Sequence, residues 1–304
     1  MSGSAVIAMA YGTPAPPSDL ESYYTHIRHG RAPSAALLAE LRGRYAAIGG
    51  RSPLREITEA QAAGLRAALP DGVEVVVGFK HAPPFIEDAA AQLVAAGVER
   101  VVGLVLAPHY SRMSVGQYAG RVEAALRDGP SLAMVRSWAT ATRYVDWLAA
   151  AVRAALARLG PAAAHAAVVF TAHSLPERIV AAGDPYPGEL RATAEAVARA
   201  AGLQRWRVAW QSAGRTADQW IGPDILEVLP EIAGAGASGV VVCPAGFVAD
   251  HLEVLYDLDI EAADAARALG LPFARTASSN ADPALAATLA DVVAPLLASR
   301  VAWR

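Results

Sequence analysis

The sequence predicts an α/β protein made of two similar Rossmann-like units, each a four-stranded parallel sheet flanked by helices. Short apolar, β-branched runs alternate with longer amphipathic segments, which is the pattern of parallel strands joined by crossover helices. The two halves also repeat each other, since "AMAYGTP" and "FTAHSLP" each follow the first strand of a half. With 304 residues, 54% of them hydrophobic, the chain is long enough to bury a core in each half.

The strand pattern occurs four times in each half. In the first half the predicted strands are 5–11, 73–79, 100–107 and 132–138. In the second half they are 166–172, 205–211, 239–245 and 271–277. A long amphipathic helix over 141–160 ends at a Gly-Pro pair, and a last helix over 283–300 is free to pack back on the first unit. The predicted domains are therefore 1–145 and 146–304, tightly docked because no low-complexity linker separates them.

Charge and apolar run length argue against two classes of partner. A net charge of −3 with no basic block disfavours a nucleic-acid-binding protein. The longest apolar stretches, such as "VVGLVLAP", are far shorter than the roughly 18 residues of a membrane-spanning helix. The N-terminal sequence has no basic region of the secretory type, so we expect a cytoplasmic protein without an integral membrane segment. No interface stripe is visible, and a monomer is expected.

Two residue counts bear on the chemistry. Cys243 is the only cysteine, which excludes an intrachain disulfide and an iron–sulfur cluster held by several thiolates of one chain. Because it lies in the apolar run "GVVVCPAG", we expect it to be a buried hydrophobic residue. Lys80 is the only lysine beside 25 arginines, which hints at a site that needs a compact, flexible point charge, although chance would also leave one lysine.

Polar side chains collect at the carboxyl ends of the predicted strands, where open parallel sheets bind ligands. They are Tyr11, Lys80, His81, His109, His173, Ser174, Gln211, Ser212, Asp250 and His251. No strand is followed by G-x-G-x-x-G or by a P-loop, so a dinucleotide or ATP enzyme is disfavoured.

His173 and Glu253 follow two strands that lie close together in any doubly wound order, so they can face each other across one cleft. A histidine at such a strand end is structural about as often as it is functional. If the two side chains meet, an imidazole nitrogen and a carboxylate oxygen suit a divalent first-row metal such as Fe²⁺. Two protein ligands leave the site open, which suits a metal in transit.

Glu253, Asp257 and Glu261 are four residues apart and would stack along one face of a helix. Asp250 and Glu253 fit a capping box, and a solvated helix face would explain the other two acids. The alternative is a route along which a metal ion passes from solvent to His173. The spacing alone favours the solvated face.

Several sequence blocks between residues 9 and 262 follow one another in the order of a known family. They are "MAYGTP", "YYTHIRHGR", "RYAAIGGRSPL", "FKHAPPFIEDA", "LAPHYS", "TAHSLPERI", "GDPYPGEL", "WQSAGRT" and "PAGFVADHLEVLYDLDIEA". With these blocks the chain resembles the ferrochelatases, and "AHSLP" combined with "GF-x-x-DHLE" is highly specific. The form most resembled is the coproporphyrin ferrochelatase of Gram-positive bacteria. The resemblance implies insertion of Fe²⁺ into coproporphyrin III to give coproheme, the penultimate step of heme synthesis.

The resemblance also implies roles for individual residues. His173 and Glu253 would be the metal-handling pair, and Tyr11 would lie under the porphyrin, near the iron of the product. The residues implied to contact the macrocycle or its propionates are Arg28, Arg44, Tyr45, Ser52 and Tyr118. Guanidinium groups suit that task because their forked donors match a carboxylate. Lys80 and His81 would line the cleft.

Some of these residues also have ordinary structural interpretations. Tyr11 fits a packed aromatic, Tyr118 a surface position, and Ser52 a helix N-cap. His29 departs from the family pattern, in which a second arginine is common, and its neutral imidazole would weaken one propionate contact. His251 is expected to be structural, because adjacent helical positions point in different directions.

Three other functions stay open. One is insertion of iron into protoporphyrin IX, which carries two propionates where coproporphyrin carries four. The others are a cobalt chelatase for an earlier tetrapyrrole and a non-catalytic tetrapyrrole-binding protein. In the ferrochelatase interpretation Fe²⁺ and coproporphyrin III are substrates, no tightly bound cofactor is expected, and the next heme-pathway enzyme is a transient partner. The residue types leave open which of His173 and Glu253 takes protons and which binds the metal.

Overall fold

Eight strands form two parallel sheets in the computed structural model, which describes residues 3–299. The strands of the first sheet are β1 (Ser4–Ala10), β2 (Val73–Phe79), β3 (Arg100–Val105) and β4 (Ser131–Val135). Those of the second are β5 (Ala167–His173), β6 (Trp206–Gln211), β7 (Val240–Cys243) and β8 (Phe273–Arg275). The spatial orders are β2-β1-β3-β4 and β6-β5-β7-β8, and every pairing is parallel. The predicted fold class is confirmed.

Helices connect these strands and cover both faces of the sheets. They are α1 (Leu20–Ile27), α2 (Ala35–Ala47), α3 (Leu54–Ala68), α4 (Ile86–Ala95), α5 (Val115–Ala125), α6 (Thr142–Arg158), α7 (Arg178–Ala181), α8 (Tyr186–Ala201), α9 (Ile225–Gly234), α10 (Leu252–Leu255), α11 (Ala263–Ala268) and α12 (Pro283–Ala298). A π-helix, Asp257–Ala262, lies between α10 and α11. The predicted helix over 141–160 is α6, and the predicted last helix is α12, although its expected end at residue 300 lies outside the described residues.

The carboxyl ends of the strands meet at one edge of each sheet, because all strands of a sheet run in the same direction. In the second sheet Phe170 of β5 pairs with Cys243 of β7, and His173 pairs with Gln211 of β6. The residues that follow β5, β6 and β7 therefore lie side by side. Cys243 is fully buried in β7, as its apolar surroundings in the sequence predict.

The two units share one hydrophobic core. Side chains from β1, β3 and α3 pack with side chains from β5, β7 and α8, and α12 packs against both α3 and α6. The Tyr144 hydroxyl of α6 donates a hydrogen bond to the main-chain oxygen of Ala245 at 2.8 Å. The units are therefore tightly docked, and the predicted division between 145 and 146 lies within α6. Over residues 3–299, no helix combines the length and the apolar character needed to cross a bilayer.

Candidate active site

His173 and Glu253 lie together at the carboxyl edge of the second sheet. His173 ends β5, and Glu253 lies in α10, after the loop that follows β7. The His173 Nε2 atom is 3.4 Å from the Glu253 Oε1 atom, and about a third of each side chain is exposed (32% and 34%). The structure thus brings the two sequence-predicted groups into contact while leaving both accessible to a substrate.

Hydrogen bonds and charge define the state of this pair. The Nδ1 atom of His173 bonds to the main-chain oxygen of Ser174, which turns Nε2 toward Glu253. Burial lowers the pKa of His173, but the charge and hydrogen bond of Glu253, the Ser174 carbonyl and the charge of Asp257 together raise it to about 9. Burial would raise the pKa of Glu253, but the imidazoles of His173 and His251 hold it well below its usual value. The contact therefore favours a protonated His173 ring beside an ionised Glu253 carboxylate at neutral pH.

His251 also contacts Glu253, and the expectation that its side chain points in a different direction is wrong. Its Nε2 atom lies 3.4 Å from Glu253 Oε2, and its Nδ1 atom is 3.0 Å from the main-chain oxygen of Ala249. The expectation that it points away assumed a helix through His251. The helix begins only after it, and His251 itself is extended, with φ −158° and ψ −179°. A histidine two residues before an acid at a strand-to-helix junction is the signal that sequence reasoning missed.

The predicted capping box of Asp250 and Glu253 is also wrong. Asp250 does not cap α10, because its carboxylate accepts hydrogen bonds from Ser278 Oγ at 2.8 Å and Asn280 Nδ2 at 2.9 Å. Its Oδ1 atom also lies 3.2 Å from Arg275 Nη1. Asp250 thus fastens the loop before Glu253 to the segment after β8.

The three acids spaced by four residues do not form one solvated face. The chain from 257 to 262 is a π-helix, in which Glu261 N–H donates to the main-chain oxygen of Tyr256 at 3.0 Å. Asp257 is only 5% exposed and accepts a hydrogen bond from the Ser212 hydroxyl. Burial, followed by the charge of Glu253, raises the pKa of Asp257 to about 7. The solvated-face interpretation is therefore wrong for Asp257.

Arg44 connects these acids to the first unit. Its Nη1 atom donates to Asp257 Oδ1 at 3.3 Å, and its Nη2 atom lies 4.0 Å from Glu261 Oε1. Its Nε atom is 3.5 Å from Glu40, and its guanidinium lies 4.9 Å from the centre of the Tyr256 ring. In this structure the group predicted to hold a propionate is therefore paired with carboxylates of the protein.

Tyr11, Lys80 and Tyr118 form a cluster at the carboxyl edge of the first sheet. Lys80 Nζ lies 5.9 Å from the Tyr11 ring centre and 5.2 Å from the Tyr118 ring centre, and burial lowers the pKa of Lys80 to about 8. Tyr11 is 42% exposed and packs on His81 with ring centres 4.5 Å apart. Burial, followed by the charge of Glu253, raises the pKa of Tyr11. Tyr118 is buried, and its interpretation as a surface position is wrong.

The family is decided by comparison of the whole chain. Residues 3–296 match the family model described as Ferrochelatase. The protein belongs to the ferrochelatase family. The coproporphyrin III ferrochelatase of Anoxybacillus flavithermus is 46% identical, over 95% of this chain and 94% of the relative. That of Halalkalibacterium halodurans is 43% identical, over 97% of each chain.

Two solved structures share the fold of this ferrochelatase-family chain at low sequence identity. SirB from Bacillus subtilis with Fe³⁺ has a TM-score of 0.63 and 12% identity, over 98% of this chain and 96% of that one. CbiX, described as the terminal enzyme for biosynthesis of siroheme in denitrifying bacteria, has a TM-score of 0.57 and 15% identity, over 96% and 98%. Both likenesses show that the two-unit architecture recurs in other proteins.

The remaining predicted residues of this ferrochelatase-family chain lie on α1 to α3 or beside them. The buried Tyr45 hydroxyl is 3.1 Å from Thr13 Oγ1, and burial raises the pKa of Tyr45 to about 12. Ser52 Oγ accepts a hydrogen bond from Leu54 N–H at 3.3 Å, at the start of α3. The N-cap of α3 is Pro53 and not Ser52, so the predicted N-cap at Ser52 with proline at N1 is wrong, and contact of Ser52 with a porphyrin stays a prediction.

Arg28 and His29 lie in the turn that ends α1. Arg28 Nε donates to the main-chain oxygen of Arg31 at 3.2 Å, and its guanidinium lies 5.7 Å from the Tyr24 ring centre. His29 has a φ of 54°, and Gly30, which follows it, has a φ of 84°. A histidine tolerates this left-handed conformation better than a β-branched residue does.

The metal-binding capacity of the site is set by how few ligands it offers. Among residues 3–299, no three His, Cys, Asp or Glu side chains converge to hold a metal ion. The His173–Glu253 pair offers one imidazole nitrogen and a carboxylate, which is too few for a closed structural site. Such a pair can bind a metal ion while leaving most of its coordination positions to other ligands.

Proposed function

We propose that this protein inserts Fe²⁺ into coproporphyrin III and so forms Fe-coproporphyrin III (coproheme) in heme biosynthesis. The observation that carries the proposal is the 3.4 Å contact between His173 Nε2 and Glu253 Oε1 in an accessible cleft. An imidazole and a carboxylate together can take up protons and bind a divalent metal ion. The names of the relatives at 43–46% identity support coproporphyrin III as the porphyrin. Fe²⁺ enters this proposal as a substrate, and no resident cofactor is invoked.

His173 and Glu253 would act as a unit on the protons and the metal ion. Metallation requires the porphyrin to lose two pyrrole protons and the hydrated metal ion to lose water. Because Glu253 favours a proton on His173, that proton must leave before the ring accepts another or binds iron. His251 contacts the second carboxylate oxygen and gives the proton a further acceptor. We assign the two tasks to the coupled pair rather than to either residue.

The cluster of Tyr11, Lys80 and Tyr118 would form the opposite wall of the porphyrin site. The exposed Tyr11 ring offers an apolar face to a flat macrocycle, the buried Tyr118 ring supports Lys80 from below, and the Lys80 ammonium offers a charge to a carboxylate. A rigid wall is needed because the macrocycle must be bent before its nitrogen lone pairs can reach the metal ion.

Arg28, Arg44, Tyr45 and Ser52 would hold the propionates. For Arg44 this requires an exchange, because its guanidinium is bonded to Asp257 and would have to turn toward a propionate. That exchange would leave the Asp257 carboxylate without its cation. Asp257 and Glu261 could then attract Fe²⁺ toward Glu253, which gives the buried acid a role in metal delivery.

The proposal keeps the expectation of a cytoplasmic monomer that contacts the next heme-pathway enzyme transiently. An iron porphyrin with a large flat apolar face is poorly soluble. Direct transfer to the enzyme that uses it would keep the product from aggregating.

The test is an anaerobic assay with Fe²⁺ and each porphyrin in parallel, with His173→Ala as the inactive control. We expect the wild-type protein to metallate coproporphyrin III faster than protoporphyrin IX at equal concentration. A preference for protoporphyrin IX would overturn the substrate assignment. Binding of both porphyrins without metallation of either would overturn the enzyme assignment and favour a tetrapyrrole-binding protein.

A further inference from the structure

Gln211 lies between the strand that ends in His173 and the helix that carries Glu253. It is the last residue of β6 and only 1% exposed. Its side-chain Oε1 accepts a hydrogen bond from Thr171 Oγ1 at 2.7 Å, and its Nε2 donates to the main-chain oxygen of Glu253 at 3.0 Å. Its own main-chain oxygen accepts from Ser174 N–H at 2.7 Å. One buried residue therefore bonds to both sides of His173 and to Glu253 itself.

These bonds join Glu253 to β5 more directly than the main chain does, since the main chain joins the loop after β7 to β5 earlier, through Gly246 N–H and Thr171 O at 3.0 Å. β5 and β6 are paired, with His173 opposite Gln211, so the strand carrying the imidazole is fixed to Gln211 by the sheet. Glu253 is not in the sheet, because it follows a loop after β7. The Nε2 bond from Gln211 fastens the Glu253 main chain directly to the His173 strand.

Only an amide of this length satisfies both partners. The Thr171 hydroxyl needs an acceptor, and the Glu253 carbonyl needs a donor. A glutamate would keep the acceptor but present a second lone pair to the carbonyl, and a methionine would supply neither. Water cannot easily replace the amide, because the side chain is buried.

We propose that Gln211 is a positioning residue that sets the separation between the His173 ring and the Glu253 carboxylate. It touches no porphyrin or metal ion, and it acts through the two residues it joins. Catalytic groups displaced by about 1 Å can lose activity on the order of 100-fold. The expected loss of activity rests on the proposed function, whereas the expected change in the His173–Glu253 distance does not.

The experiment compares Gln211→Met and Gln211→Glu with wild type by crystal structure and by anaerobic kinetics. We expect the His173 Nε2 to Glu253 Oε1 distance to change from the 3.4 Å of this structure in both variants. We expect kcat to fall by roughly 10- to 100-fold and the apparent KM for Fe²⁺ to rise. The Kd for coproporphyrin III, measured by fluorescence quenching, should stay close to wild type.

The control is Thr288→Val, which removes a buried hydroxyl that donates to Ala284 within α12, far along the chain from the site. It should lower the melting temperature without changing kcat or KM for folded protein, as a purely structural loss does. An unchanged His173–Glu253 distance in either folded Gln211 variant would overturn the inference, as would wild-type kcat in Gln211→Glu. If wild type fails to metallate any porphyrin, the proposed function falls and the crystal structures still decide the role of Gln211.

Discussion

The two units have the same strand order but carry different chemistry at equivalent strand ends. The first strand of the first unit is followed by Tyr11, and the first strand of the second ends in His173. The second strands lead to Lys80 and to Gln211, respectively. A phenol and an ammonium thus occupy the places that an imidazole and an amide occupy in the other unit.

This difference shows that the repeated backbone places side chains at equivalent strand ends, and that the type of side chain decides the chemistry of each unit. In the second unit, Glu253 contacts both His173 and His251, and these are groups that exchange protons. In the first unit, the Lys80 ammonium lies over the Tyr11 ring, and an aromatic ring beside a cation suits holding a flat substrate that carries carboxylates. The second unit is therefore expected to carry the reaction and the first to carry the porphyrin.

Of all substitutions, one at His173 is expected to separate the roles of the two units most clearly. His173→Ala should lower kcat by about 10³-fold or more, because it removes a proton acceptor and a metal ligand together. Porphyrin binding should persist, because the first unit is intact. Anaerobic kcat and fluorescence quenching by coproporphyrin III measure the two effects separately. Retained turnover would remove His173 from the mechanism.

Glu253→Gln should be nearly as damaging and should also change the pH dependence of stability. In wild type Glu253 raises the pKa of His173 to about 9, so the stabilisation from the charged pair is complete below the unfolded histidine pKa of about 6.5. It is lost as the pH rises through about 9. Glu253→Gln should not lose stability in this way as the pH rises, because a neutral amide does not stabilise the charged imidazole of His173. Urea unfolding of both proteins between pH 6 and 10 measures the difference, and parallel curves would contradict the charged pair.

Sequence patterns could predict the fold and the two central residues because both depend on local, repeated signals. Strand-length β-branched runs marked all eight strands, and the ends of β5 and β7 had to be neighbours in a parallel sheet. The direction of His251 depends on the residue at which α10 begins, and helix boundaries are weakly encoded. The pairing of Arg44 with Asp257 joins residues far apart in the chain, and no periodicity encodes it. The π-helix that buries Asp257 lies in a run whose spacing fits an ordinary helix.

Substitutions of Asp257 and Glu261, the two acids after Glu253, are expected to change the apparent KM for Fe²⁺ unequally. Asp257→Asn should raise the apparent KM for Fe²⁺ by up to about tenfold, because it removes the buried carboxylate nearest in sequence to Glu253. Glu261→Gln should do less, because Glu261 is more exposed and lies 4.0 Å from Arg44. In both variants kcat should change less than KM. Equal KM values in wild type and both variants would show that the acids do not deliver the metal ion.

The smallest effect is expected at Tyr11, the counterpart of His173 in the first unit. Tyr11→Phe keeps the ring that packs on His81 and faces Lys80, and it removes only the hydroxyl. Because burial and Glu253 raise the pKa of that phenol, it stays protonated near neutral pH and accepts no proton from the porphyrin. We therefore expect kcat to fall by less than about tenfold. Tyr11→Ala should instead weaken coproporphyrin binding in the fluorescence assay, because it removes the ring face. A loss of kcat in Tyr11→Phe as large as that in His173→Ala would contradict the division of roles between the two units.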